Sequence, residues 1–193
     1  MKFSVAIMMH PRREKYREYL ISKLGNVQII TDRGKGIWDT ARRAWLSYDK
    51  TADYHLVIQD DAIIGKNFYQ NLEKEILAHP GMAYCLYYGQ RKDIDILNLK
   101  KWIKAGGVEK SEVHWGVALC IPVSIIDDFI KEADKLTRYE KHDDTKLSKY
   151  LIKKKIKVWY PIPSLVDHRW EEKSLMEINY SNKKRKAVLF IGE

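Results

Sequence analysis

The stretch YHLVIQDDA, residues 54–62, is the most informative part of this chain about its fold. Its three consecutive aliphatic residues, at positions 56–58, predict a strand that is buried on both faces, as the strands of a parallel sheet are. The strand ends in two neighbouring carboxylates, Asp60 and Asp61. Because ligands of open α/β sheets bind beyond the carboxyl ends of the strands, this stretch predicts an α/β fold with a binding site at the two aspartates.

Asp60 and Asp61 have two interpretations. Neighbouring carboxylates repel each other, so ionising both is costly unless a positive charge lies beside them. A divalent cation supplies that charge, and hard oxygen ligands with open positions suit Mg²⁺ or Mn²⁺ that holds a diphosphate. The alternative is an Asp-Asp turn that caps the following helix. The pair alone does not decide between a metal site and a cap.

The composition is that of a basic globular domain. The 193 residues suffice for one domain with a sizeable core, and a hydrophobic fraction of 45% excludes a disordered chain. The 35 Lys and Arg residues exceed the 26 Asp and Glu residues, which gives a formal net charge of +9. This balance favours polyanionic partners, namely nucleic acid, nucleotide diphosphates or an anionic membrane surface.

The start of the sequence is not expected to be a secretory signal. The first nine residues carry one charge and a short apolar run, which predicts a core strand and not a secretory signal. No apolar stretch approaches the length of a membrane span. Cys85 and Cys120 lie in apolar runs without metal-ligand spacing and are expected to be buried, reduced thiols. We therefore expect a cytoplasmic protein without a membrane span.

Strands and helices alternate through the first half of the chain. Apolar periodicity predicts strands at residues 3–9, 27–30, 54–59 and 82–88, with helices at 11–24, 37–48 and 67–79 between them. This order predicts a largely parallel sheet with helices on both faces. In the less regular second half we predict a loop with a short helix over 90–110, a strand ending at 121, helices beginning at 124 and 143, and strands at 158–160 and 187–191.

The order of these motifs resembles that of the nucleotide-sugar glycosyltransferases of the GT-A superfamily, and more narrowly its small phage-encoded members. The resemblance covers residues 3–175 and rests on the loop after the first strand, an Ala-Arg helix, the strand-end aspartates, and a late acid-plus-His pair. It implies a GT-A-like, Rossmann-like α/β fold with a mostly parallel sheet. It also implies a single domain over residues 1–193, with a nucleotide-binding half (1–90), an acceptor and catalytic half (91–175) and a basic tail (176–193).

The resemblance also assigns a metal site. Family members carry a D-x-D pattern where this chain has Gln59-Asp60-Asp61, so an amide replaces the first acid. Asp61 is then the expected ligand of Mn²⁺ or Mg²⁺, and Asp60 faces the ribose or a metal-bound water. His168 matches the C-terminal histidine that completes the metal shell in many GT-A enzymes, and Asp167 is expected to orient its ring. A surface or packing role is the alternative for this histidine.

The acid pair Asp143-Asp144 resembles the pair that opens a helix in inverting GT-A enzymes. On this resemblance Asp144 is the catalytic base that takes the proton from the acceptor hydroxyl, and Asp143 is its helper. Aspartate is also a favoured helix N-cap residue whatever the function, and the two roles are compatible.

The resemblance places the donor at the loop after the first strand and at the following strand and helix. The expected donor-binding residues, besides Asp60, are Pro11, Arg12, Asp32, Trp38 and Arg42. Guanidinium groups suit diphosphates because they bind in a bidentate manner and stay charged.

The segment His114-Trp115-Gly116 fits the acceptor wall of the family. There an aromatic ring packs on a sugar or a base. Packing of Trp115 in the core is the alternative.

These expectations describe a metal-dependent hexosyltransferase-type enzyme that moves a sugar from a UDP-like donor to a hydroxyl with inversion. Positive charge and the phage resemblance favour a hydroxymethylated pyrimidine in DNA as the acceptor, flipped out of the duplex, in the cytoplasm of the host cell. A glycan or protein hydroxyl is the alternative acceptor. A nucleotidyltransferase and a basic, non-catalytic DNA-binding module are the rival functions.

Overall fold

The structure is a computed structural model that describes residues 1–89, 96–137, 142–169, 171 and 186–192. Within these residues the strands of the main sheet are β1 (Phe3–Met9), β2 (Gln28–Thr31), β3 (Tyr54–Gln59), β5 (Ala83–Cys85), β6 (Gly107–Lys110), β7 (Ala118–Pro122) and β8 (Val158–Pro161). Two further strands, β4 (Ala62–Ile64) and β9 (Val166–His168), pair in a small sheet of their own. The α-helices are α1 (Arg17–Leu24), α2 (Ile37–Leu46), α3 (Phe68–Ala78), α4 (Ile96–Ala105), α5 (Ile126–Ala133) and α6 (Asp143–Lys154).

The main sheet has the strand order β2-β1-β3-β7-β5-β8-β6. Strand β1 pairs in parallel with both β2 and β3, and β5 pairs in parallel with β8. Strand β7 is antiparallel to both of its neighbours, and β6 is antiparallel to β8. All strands except β6 and β7 therefore run in one direction, and the predicted mostly parallel α/β sheet is confirmed.

Strand β3 is buried on both faces, as its sequence predicts. Leu56 and Ile58 pack on the side of α1 and α3, where Leu20 and Leu72 belong to the same core. Val57 packs on the other side, in a second core that α2, α5 and α6 cover. Successive residues of a strand point to opposite faces, so one aliphatic run stabilises both layers.

The structure departs from the predicted elements in three places. Strand β6 lies in a stretch predicted as loop, and the strand predicted over 82–88 shortens to β5. Residues 187–191 form isolated bridges to Gly89 and Ser164 instead of a strand. Such pairings depend on partners remote in sequence, and no local pattern encodes them. Apart from Lys186, the basic run over 183–186 lies outside the described residues, which contain no helix long and apolar enough to cross a membrane.

His55 is a core residue whose burial makes stability depend on pH. One ring nitrogen contacts Ser4 Oγ at 2.7 Å and the other contacts the Ala44 carbonyl at 2.9 Å. Burial lowers the pKa of His55 to about 4. As the pH falls below the unfolded-state pKa of about 6.5, the unfolded chain takes up a proton that the folded chain does not.

We therefore expect the free energy of unfolding to fall as the pH drops from about 6.5 to about 4, with a contribution from His55 of roughly 3 kcal/mol. Urea unfolding at a series of pH values measures this loss. The His55→Gln variant is less stable at neutral pH and should lose less stability across the same window. Equal pH slopes for wild type and variant would contradict the assignment.

Candidate functional site

The carboxyl ends of β1, β2 and β3 meet at one edge of the sheet. The backbone N–H of Asp32, just after β2, donates to the carbonyl of Met9 at the end of β1, at 2.7 Å. The N–H of His10 donates to Oδ2 of Asp60, just after β3, at 2.6 Å. Parallel pairing places these ends side by side, so the loops that follow the strands share one site.

Asp61 and His168 meet at this edge. Strand β9 pairs with β4 so that His168 stands opposite Ala62, and the N–H of Arg169 donates to the Asp61 carbonyl at 2.8 Å. His168 Nε2 lies 3.1 Å from Asp61 Oδ2, and the two residues are only 4% and 1% exposed. Within the described part of the chain, Nδ1 of His168 has no hydrogen-bond partner.

Asp167 does not contact the His168 ring in the way that was expected. Its Oδ1 accepts the backbone N–H of His168 at 2.8 Å and that of Ala187 at 2.6 Å. Asp167 therefore fixes the backbone of β9 and ties it to the C-terminal segment.

Arg13 belongs to the loop after β1 that was expected to bind the donor, but its contact with both aspartates was not predicted. It lies in the 3-10 turn Pro11–Tyr16 and is 6% exposed. Its Nη1 is 2.8 Å from Asp60 Oδ1 and 2.5 Å from Asp61 Oδ2, so one guanidinium nitrogen bridges both carboxylates. Burial raises the pKa of Asp60, and the bonds from Arg13 and the His10 N–H oppose that rise. The adjacency of β1 and β3 was the available signal, because the loop after β1 must lie beside Asp60.

The acid pair opens α6, as predicted. Asp143 is buried, and burial together with the charge of Asp144 raises its pKa. Asp144 is partly exposed, and its Oδ1 accepts the N–H of Thr145 at 2.6 Å. Burial raises the pKa of Asp144 too, opposed by the Thr145 bond. A carboxylate with a raised pKa is a stronger base near neutral pH than an ordinary aspartate.

Gly116 brings the acid pair against the end of β3. A Cβ at Gly116 would stand 3.2 Å from Asp143 Oδ1, 3.3 Å from Gln59 Nε2 and 3.7 Å from Asp144 Cβ. Contacts at 3.2 and 3.3 Å are tighter than most Cβ contacts, so a larger residue would push these groups apart. The amide of Gln59, which stands where the first acid of the D-x-D pattern is expected, therefore lies beside Asp143 and Gly116.

Aromatic rings connect His168 with the predicted acceptor segment. The Tyr87 ring lies 6.3 Å from the His168 ring and 5.8 Å from the Trp115 ring, between centroids. The rings of Trp115 and His114 are 5.6 Å apart, and both residues are only partly buried. Trp115 packs against both cores, which agrees with the alternative of a packing role. Its role in acceptor binding stays a prediction.

The predicted donor residues divide into two groups. Pro11 and Arg12 are exposed in the loop after β1, and Asp32 follows β2 at the same edge of the sheet, where its backbone N–H binds the Met9 carbonyl. Trp38 and Arg42, on α2, both bind Asp134 at the end of α5, with nitrogen–oxygen distances of 3.0 to 3.1 Å.

Arg43, the neighbour of Arg42, is the arginine of α2 that reaches the end of β2. Its Nη2 donates to the carbonyl of Thr31 at 2.8 Å.

The ligands at Asp61 suit a divalent cation whose remaining coordination positions are filled by a substrate. Among the described residues, no group of three or more His, Cys, Asp or Glu side chains is placed to hold a metal. The chain offers one carboxylate, Asp61, and one imidazole, His168, whose Nε2 faces Asp61 Oδ2 at 3.1 Å and is a plausible nitrogen ligand. Mg²⁺ sites commonly use one or two carboxylates together with substrate phosphates and water, so two protein donors suffice.

Comparisons with known proteins identify the fold. No family model and no curated protein sequence matches this chain. Among solved structures, A197 from STIV is similar over 87% of this chain and 85% of its own, at 16% identity and a TM-score of 0.56. GalNAc-T7 with UDP, GalNAc and Mn²⁺ is similar over 86% of this chain and 43% of its own, at 14% identity and a TM-score of 0.56.

A third solved structure extends the likeness over the full length. Drosophila β1,4-galactosyltransferase 7, in complex with manganese, UDP-Gal and xylobiose, is similar over 99% of this chain and 83% of its own, at 8% identity and a TM-score of 0.50. At these identities the likeness concerns the fold. The chain has a GT-A-like fold, as the order of its motifs predicted.

Proposed function

We propose that this chain is a metal-dependent glycosyltransferase that moves a sugar from a nucleoside diphosphate to an acceptor hydroxyl. The observation that carries the proposal is the buried contact between Asp61 and His168, 3.1 Å from oxygen to nitrogen, at the carboxyl edge of a GT-A-like sheet. Two residues remote in sequence meet where an open α/β sheet binds its ligand. The UDP and manganese of the similar structures support this donor and this metal.

Asp61 and His168 are the residues that would hold Mn²⁺ or Mg²⁺. When bound, the metal neutralises the charge that develops on the departing diphosphate. The His10 N–H and Arg13 hold the Asp60 carboxylate in place, and Arg13 also links it to Asp61. Pro11, Arg12 and Asp32 line the same edge and are proposed to hold the nucleoside and its phosphates.

Asp144 is proposed as the base of an inverting transfer. The acceptor hydroxyl gives its proton to Asp144, its oxygen bonds to the anomeric carbon, and the bond from that carbon to the diphosphate oxygen breaks. Asp144 is partly exposed and can therefore reach a substrate, whereas Asp143 is buried. Gly116 keeps this pair next to the end of β3, and therefore near the donor edge.

The acceptor is proposed to pack against Trp115 and His114. A hydroxymethylated pyrimidine in DNA fits the net charge of +9 and the stacking that an aromatic side chain offers a flipped base. A glycan hydroxyl is the second candidate, favoured by the xylobiose in one similar structure. Trp38 and Arg42 stay candidates for donor binding, although Asp134 engages both of them here.

Calorimetry with UDP and Mn²⁺ tests the proposal, and we expect saturable binding with a dissociation constant in the micromolar range. A screen of UDP-, GDP- and dTDP-sugars with Mn²⁺ then identifies the donor and acceptor. It measures nucleotide release with and without modified DNA or oligosaccharides. No heat with UDP, and DNA binding that Asp61→Ala leaves unchanged, would favour a non-catalytic DNA-binding module.

A further inference from the structure

Arg13 occupies the centre of the acidic site. Its Nη1 bridges Asp60 Oδ1 and Asp61 Oδ2, and Asp61 Oδ2 is also the oxygen that His168 Nε2 approaches at 3.1 Å. All four residues are buried. A carboxylate oxygen that already accepts an arginine at 2.5 Å has little capacity left for a cation.

The net charge of this site suits either the Arg13 guanidinium or a divalent metal ion on Asp61, but not both. Two carboxylates and one guanidinium leave a single formal negative charge. A divalent ion on Asp61 would lie close to the guanidinium, and like charges a few ångströms apart in a poorly hydrated site repel strongly. Arg13 and a metal ion therefore compete for Asp61.

Asp60 is held by two groups at once. Its Oδ2 accepts the His10 N–H at 2.6 Å while its Oδ1 accepts Arg13 at 2.8 Å. Arg13 can thus give up Asp61 and remain bound to Asp60. A guanidinium has five N–H donors in a planar fork, so it can then bind a phosphate oxygen without leaving Asp60.

We propose that Arg13 is a positioning residue that locks Asp61 until a nucleoside diphosphate arrives, so that metal and nucleotide bind cooperatively. This inference rests on the proposed function, because it assumes that Asp61 and His168 hold the metal. Without nucleotide, Arg13 keeps Asp61 and metal binding is weak. The diphosphate offers Arg13 a new anionic partner and frees Asp61, and by linkage the metal strengthens nucleotide binding by the same factor.

A purely structural buried ion pair predicts a different behaviour. If Arg13 only supports Asp61, its removal disorders the carboxylate and weakens metal binding. If Arg13 competes with the metal, its removal strengthens metal binding in the absence of nucleotide. The affinity for Mn²⁺ without nucleotide therefore separates the two roles, and it does not depend on catalysis.

The test is Mn²⁺ binding followed by the electron paramagnetic resonance signal of the free ion, with and without UDP. For wild type we expect UDP to tighten Mn²⁺ binding at least tenfold, within the usual range of coupling energies. Without UDP, Arg13→Met should bind Mn²⁺ at least roughly tenfold more tightly than wild type, and UDP should then add less than about threefold. Arg33→Met, which removes an exposed arginine paired with Asp39, is the matched control and should behave as wild type.

A second variant and a second measurement guard against misfolding. Arg13→Lys keeps the charge and should stay closer to wild type in Mn²⁺ affinity than Arg13→Met does. In thermal unfolding, Mn²⁺ should raise the midpoint of Arg13→Met more than that of wild type, because it replaces the missing positive charge.

If Arg13→Met binds Mn²⁺ without UDP no more tightly than wild type does, Arg13 does not compete with the metal for Asp61. The proposed metal site itself would not be contradicted by that result. Absence of Mn²⁺ binding in every variant, with UDP present, overturns both the lock and the metal part of the proposed function.

Discussion

The Asp61→Asn variant is expected to lose Mn²⁺ binding and at least about a thousandfold of the transfer rate, since a metal that stabilises a leaving group contributes several kcal/mol to the transition state. Asparagine has nearly the shape of aspartate but lacks the charge that a divalent cation requires. The Asp61 side chain is only 1% exposed, so bulk solvent cannot compensate for the loss of its charge. Calorimetry with Mn²⁺ and UDP, and nucleotide release from the donor, measure the two losses.

Asp49→Asn provides the matched control for Asp61→Asn. Asp49 is an exposed carboxylate that pairs with Lys2, before the start of β3 and thus at the opposite end of the strand. This variant should keep wild-type binding and turnover. An Asp61→Asn protein that folds as wild type by circular dichroism and still binds Mn²⁺ with unchanged affinity would refute the metal site.

The Asp144→Asn variant is expected to lower the turnover number by about a hundredfold to ten-thousandfold, the usual contribution of a general base. Binding of UDP and Mn²⁺ should stay unchanged, because Asp144 acts on the acceptor and not on the donor. The measurement is the transfer rate at saturating donor, compared with calorimetry on the same preparation. Asp127→Asn, on the exposed side of α5 where the carboxylate accepts the Tyr48 hydroxyl, is the control.

The pH profile of the wild type gives an independent check on Asp144. A base must be ionised to accept a proton, and burial raises the pKa of Asp144 in the folded protein. Turnover should therefore fall as the pH decreases through that raised pKa, at a pH above the ordinary aspartate value of about 3.9. Loss of donor binding in Asp144→Asn, or turnover within twofold of wild type, would remove Asp144 from the proposed mechanism.

Local periodicity predicted most of the elements. The aliphatic run in β3 and the apolar stripes of α2 and α3 repeat with the period of their structure, and the structure has these elements within about two residues of the predicted bounds. The pairing of β4 with β9, and β6 beside β8, were not predicted. Their hydrogen bonds join segments far apart in sequence, and strands of three or four residues are too short to carry a periodic signal of their own.

The sequence predicted the acidic residues of the candidate site, but not the position of Arg13. Asp61 and His168 followed from the order of motifs, and the structure brings them within 3.1 Å. Arg12 and Arg13 are adjacent and chemically identical in sequence, and only the 3-10 turn after β1 decides that Arg13 points inward while Arg12 stays exposed. The position of the Gln59 amide beside Gly116 depends in the same way on how β3 and the loop before β7 pack.

An α/β domain with acids at the end of a buried strand can be inferred from residues 54–62 alone, because burial on both faces requires a continuous aliphatic run there. The groups that meet those acids are set by the packing of distant segments. Strand order places the loop after β1 beside Asp60, and the register of β9 against β4 places His168 beside Asp61. Strand order and register follow from the packing of the whole chain, so no local stretch of sequence encodes the resulting contacts.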